Sequence, residues 1–91
     1  SMLDSKIAYE SQNGLFWQVC VMDPDGKNQV NISNNDYNDW YPSWSPDGKK
    51  IAYTSSRDNG IYQIYIMDPD GKNQVNISKS KNMQSSPAWS K

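Results

Sequence analysis

The sequence predicts an all-β fold made of one unit repeated along the chain, and three observations carry that expectation. The stretch MDPDGKNQVNIS runs from Met22 to Ser33 and recurs unchanged from Met67 to Ser78, 45 residues later. Short apolar runs are punctuated throughout by Gly, Pro, Asn and Asp, the pattern of strands joined by tight turns. Apolar residues are sparse at 35%, yet 4 Trp and 6 Tyr are present, and disordered chains usually lack aromatics.

Taken in order, residues 6–11 (KIAYES) read as a strand and Gln12-Asn13-Gly14 as a turn, because Asn-Gly favours positive φ. Residues 16–22 (FWQVCVM) form a second strand. Asp23-Pro24-Asp25-Gly26 is a tight turn in which Pro fixes φ and Gly accepts φ > 0. Residues 29–33 (QVNIS) form a third strand and residues 34–41 a polar loop. Residues 42–45 (PSWS), the turn Pro46-Asp47-Gly48 and residues 49–55 (KKIAYTS) follow. Residues 57–60 are expected as the counterpart of the first turn, one residue longer, before residues 61–67 (IYQIYIM) repeat the second strand. The second DPDG turn, the second QVNIS, a loop over residues 79–85 and the strand PAWS at residues 87–90 complete the pattern.

The repeat covers nearly the whole chain. Ile7, Ala8 and Tyr9 match Ile51, Ala52 and Tyr53 at an offset of 44, and Gln18, Met22 and Trp44 match Gln63, Met67 and Trp89 at an offset of 45. A period of this size carrying four short strands is the signature of a propeller blade. In residues 61–67, Tyr62, Ile64 and Ile66 fall on one face and Tyr65 and Met67 on the other. A strand apolar on both faces suits a sheet packed between two neighbours.

Composition narrows the function. There is no His, so a His-ligated metal or His-based triad is excluded, and the single Cys20 cannot form an internal disulfide. Net charge is −1 with both signs interspersed, which gives no nucleic-acid footprint. No apolar run approaches a membrane span. No signal peptide is visible; Ser1 ahead of Met2 reads as an added residue, which leaves room for a removed leader.

The run PSWSPDGKKIAYTS followed by IYQIYIMDPDGKNQVNIS closely resembles the WD40-like (PD40) repeat of TolB-type β-propellers. The element P-x-W-S-P-D-G-K-K-I-A is complete at residues 42–52, and the repeat pattern extends from Lys6 to Lys91. The resemblance implies that PSWS is the innermost strand, a, of a blade, so that the chain runs b-c-d (6–33), a-b-c-d (42–78) and then a lone a strand (86–90). It implies six or more blades in a complete ring and a periplasmic or extracellular setting. It implies protein binding on one propeller face. Some relatives with this repeat are peptidases or polysaccharide lyases, so a hydrolase, lyase or glycan-binding propeller is the alternative, as is a fragment of a larger TolB-like propeller with no function of its own.

The motifs weigh against chemistry. An EF-type calcium loop needs glycine at its sixth position, whereas DPDG places it at the fourth, so Asp23, Asp25, Asp68 and Asp70 read as turn residues. Asn31-Ile32-Ser33 and Asn76-Ile77-Ser78 match a glycosylation acceptor but arise from the repeat. Trp44 and Trp89 repeat at the structural period and read as packing residues. There is no G-x-S-x-G element. Asp36 with Asp39 is the only acidic pair outside a turn that could serve as acid and base. No catalytic residue, metal or cofactor is expected.

Binding residues are therefore expected on the face that carries the long, variable loops. The candidates are Asp36, Tyr37, Asp39, Trp40, Tyr41, Arg57, Asp58, Lys79 and Lys81. Trp40-Tyr41 stands out because its counterpart in the repeat is Ser85-Ser86. The strand phase also predicts self-assembly. Residues 6–11 would present an unpaired inner edge, residues 86–90 would hang free, and pairing one with the other in a second copy would satisfy both. Such a head-to-tail contact closes into a ring or runs on as a filament. Two four-stranded antiparallel blades per chain then give a six-bladed trimer, or next an eight-bladed tetramer.

Overall fold

The computed structural model describes residues 5–91. It contains seven strands: β1 (Ile7–Asn13), β2 (Phe16–Met22), β3 (Val30–Asn31), β4 (Asp39–Trp44), β5 (Ile51–Asp58), β6 (Ile61–Met67) and β7 (Val75–Asn76). They form two sheets of order β1-β2-β3 and β4-β5-β6-β7, antiparallel throughout. The first sheet has three strands because nothing pairs with the inner edge of β1 among the described residues.

The core lies between the sheets. Val19, Val21 and Ile32 of the first pack against Ile51, Tyr53, Tyr65 and Met67 of the second, with Ala8 and Trp44 partly buried alongside. Of the two apolar faces expected for β6, this contact buries one, with Gln63, Tyr65 and Met67, and leaves Tyr62, Ile64 and Ile66 on the other half-buried. The second DPDG turn is part of the contact: a Cβ at Gly71 would stand 2.1 Å from the Ile32 carbonyl oxygen, so only glycine fits.

Four expectations need correction. The outer strands β3 and β7 are two residues each, not five. Side chains end them early: Ser33 Oγ accepts from the Val19 amide at 2.9 Å, and Ser78 Oγ accepts from the Ile64 amide at 2.9 Å, in place of backbone carbonyls. Strand β4 begins at Asp39, so Asp39, Trp40 and Tyr41 belong to a strand and not to the loop. The extra residue of the second repeat does not lengthen its turn. Asn59 and Gly60, both at positive φ, make a two-residue connection like Gly14-Leu15, and the insertion becomes a bulge in β5 between Ser55 and Asp58. Finally, residues 86–90 are not a strand and do not hang free. The Ser86 amide donates to Thr54 Oγ1 at 3.2 Å and the Trp89 indole N–H to the Ser43 carbonyl at 2.8 Å.

The DPDG motifs are turns. The Gly26 amide donates to the Asp23 carbonyl at 2.8 Å and the Gly71 amide to the Asp68 carbonyl at 2.9 Å. Hydrogen bonds from Lys6 and then Asn28 hold the Asp23 carboxyl below its ordinary range; Lys50 and then Asn73 do the same at Asp68. Ser45 and the Lys49 amide lower Asp47 likewise. A carboxyl whose pKa is lowered by folding contributes stability above its unfolded value and loses it as pH falls through the folded one. The melting temperature should therefore drop as pH is taken below 3.8, measured by circular dichroism melts across an acid series, and Asp68→Asn should flatten the dependence.

Candidate binding surface

The long loop between β3 and β4 is held from beneath by a buried glutamine. Gln18, 1% exposed in the middle of an otherwise apolar strand, accepts from the Asn35 amide at 2.8 Å and donates to the Tyr37 carbonyl at 2.6 Å. Gln63 repeats this in the second sheet, accepting from the Ser80 amide at 2.7 Å and donating to the Asn82 carbonyl at 3.3 Å. Trp17 adds a backbone bond to Asn38 Oδ1 at 3.0 Å. Neither glutamine was among the sequence candidates. The signal available was a polar residue repeated within an apolar run, which a buried amide explains only once its loop partners are known.

Asp39 and Arg57 meet below the surface. Asp39 is fully buried, its carboxylate 3.4 Å from Arg57 Nη2 and accepting from Asn35 Nδ2 at 2.8 Å. Arg57 also donates to Ser55 Oγ at 2.9 Å and to the Tyr53 hydroxyl at 3.0 Å, and lies 4.1 Å over the Tyr65 ring. Asp58 accepts from the Tyr65 hydroxyl at 2.6 Å. Successive strand residues ordinarily point to opposite faces. The β5 bulge lets Arg57 and Asp58 reach the same tyrosine. Burial first, and the Asp58 bond second, push the Tyr65 hydroxyl up to about 12, and burial raises Tyr53 as well. Asp39 and Arg57 are thus internal struts; Asp36 is exposed, so the two aspartates do not form a pair.

What the face presents outward is aromatic. Trp40 is half-buried, its ring 5.0 Å from Tyr62 and 6.3 Å from Tyr41 between centroids. Tyr41 is 47% exposed and sits at φ 57 within the bulge between Trp40 and Ser43, a backbone position that costs strain for an L residue. Tyr37 is exposed on the loop. Leu15 on the β1–β2 turn and Met83 on the loop after β7 are exposed at the same end of the sheets. Lys79 and Lys81 are exposed on that second loop, and no ion pair among the described residues joins either to Asp36.

No family model matches the chain. In sequence it is similar to the Tol-Pal system protein TolB of Wigglesworthia glossinidia brevipalpis, 45% identical over 49 residues, and to that of Blochmanniella floridana, 41% identical over 49 residues. Each alignment covers 54% of this chain and 11% of the relative, so the chain spans about a tenth of the curated relatives it matches. In fold it is similar to a solved structure assigned as a TolB from Agrobacterium tumefaciens, with a TM-score of 0.84 and 25% identity, over 96% of this chain and 31% of that one. Relatives named TolB in sequence and a TolB-assigned neighbour in fold together support the TolB-type propeller family for this chain.

Proposed function

We propose that this chain is a non-catalytic interaction module that binds a protein or peptide partner on its loop face. One observation carries the reading: the exposed side chains Leu15, Tyr37, Tyr41 and Met83 all lie at that end, where Tyr41 neighbours Trp40, Trp40 meets Tyr62 in a tilted contact and the Tyr62 amide reaches Met83 Sδ. Large amphipathic rings on a hydrogen-bonded base are the usual anchors of protein interfaces. Asp36, Lys79 and Lys81 supply a charged rim. The likeness to TolB proteins supports a protein partner in a cell-envelope setting. Among the described residues no helix is long and apolar enough to cross a membrane.

A displayed random-peptide library provides the test. Peptides enriched on the wild-type chain should lose binding to Tyr41→Ala by about 1–2 kcal/mol, with the melting temperature nearly unchanged. Lys49→Ala on the opposite face should bind as wild type. Enrichment of peptides indifferent to Tyr41, Tyr37 and Asp36 would overturn the assignment. Trp40→Ala is a poorer probe, since it also removes the Tyr62 contact.

The base under the face has its own signatures. Arg57→Ala leaves Asp39 buried without its cation and should cost about 3 kcal/mol of stability, read from the urea midpoint. Tyr53 and Tyr65 have folded pKa values raised above 10, so their contribution is complete below 10 and lost as pH rises through the folded values. Stability should accordingly hold to pH 10 and fall as pH approaches about 12, followed by near-UV circular dichroism.

A further inference from the structure

Because the two sheets carry near-identical sequence, unequal surroundings reveal what each one lacks. Ile32 and Ile77 occupy the same place in the duplicated NIS, yet Ile32 is 7% exposed beneath the second sheet and Ile77 is 50% exposed. Ile51 is fully buried against the first sheet, while its counterpart Ile7 is 41% exposed. A Cβ on Gly71 would strike Ile32, but one on Gly26 would meet nothing. Gln74 donates across the sheets to the Ser33 carbonyl at 3.1 Å; its counterpart Gln29 reaches only the Gly26 carbonyl of its own turn. A cavity of about 170 Å³ opens beside Gln29 and Tyr9 on that same face.

The inner edge shows the same asymmetry. The Trp89 indole N–H donates to the Ser43 carbonyl at 2.8 Å, whereas the Trp44 indole N–H is buried without a hydrogen-bond partner among the described residues. A buried, unpaired donor is rare and costly. The Tyr41 amide meets Glu10 Oε1 at 2.9 Å just as the Ser86 amide meets Thr54 Oγ1 at 3.2 Å, so residues 86–90 stand beside the second sheet as β4 stands beside the first. By that correspondence the acceptor missing at Trp44 belongs to the residue equivalent to Ser43, which is Ala88.

We infer that a second copy of this chain supplies the missing neighbour. The Ile64, Ile66 and Ile77 face of one copy packs on the Ile7, Tyr9 and Met22 face of the next. Residues 86–90 of the first pair along the free edge of β1, and their Ala88 carbonyl accepts the Trp44 N–H of the second copy. The contact repeats, between chains, the packing that the two sheets already make within one. It is heterologous, so it propagates until it closes, and three copies complete a six-sheet ring. The contact borders the loop face, because Tyr62 stands on the same face of β6 as Ile64 and Ile66 and its ring meets Trp40; it is read by mass and not by peptide binding.

Multi-angle light scattering on the intact chain tests this. The wild type should run at three times the chain mass, with four as the alternative closure. Ile77→Lys, at a position exposed in the single chain, should fall to the mass of one chain with an unchanged far-UV spectrum. Deleting residues 86–91 should do the same. A wild type that stays at single-chain mass at every concentration would overturn the inference. Assembly that survives both changes would overturn the proposed contact.

Discussion

The structure depends on one contact: the apolar face of one repeat laid against the opposite apolar face of the next. Val19, Val21 and Ile32 on one side and Ile51, Tyr53, Tyr65 and Met67 on the other make up the core. Neither sheet buries a face by itself, as is general for repeat architectures. The chain is short, and removing this contact would leave each sheet without a hydrophobic interior. The second DPDG turn is drawn in so closely that the Gly71 position admits no side chain.

Around that contact the polar residues act as fasteners. Gln18 and Gln63 spend their amides on loop backbone, and Ser33 and Ser78 replace carbonyls in the strand ladder. The long loops are consequently anchored from below while their outer side chains stay exposed. Asp39, Arg57 and the two tyrosines beneath them give the face a rigid underside.

The same repetition leaves a remainder. Two near-identical sheets in contact bury one face of each and leave the complementary faces uncovered, a pattern visible in the pairs Ile32 and Ile77, Ile7 and Ile51. The orphaned Trp44 N–H is the polar counterpart of that remainder.

Much of the architecture was legible in the sequence, because a duplicated twelve-residue stretch and matched apolar runs identify strands, turns and repeat phase without reference to distant contacts. The antiparallel strand order within each sheet and the turn role of DPDG follow from local pattern, whereas β6, apolar on both faces, is buried on only one within the chain. The candidate site was legible only in part. Tyr41 was picked by its break from the repeat, Asp36 and Tyr37 by their place on a long loop, and all three are exposed. Asp39 and Arg57 were picked for charge, but tertiary structure buries Asp39 and turns Arg57 onto it, because a bulge in β5 absorbs the inserted residue that a one-dimensional reading assigns to the turn. Local sequence determines periodicity and turn chemistry. Which polar groups are buried depends on what the neighbouring sheet and loop place against them, and that was decided only in three dimensions.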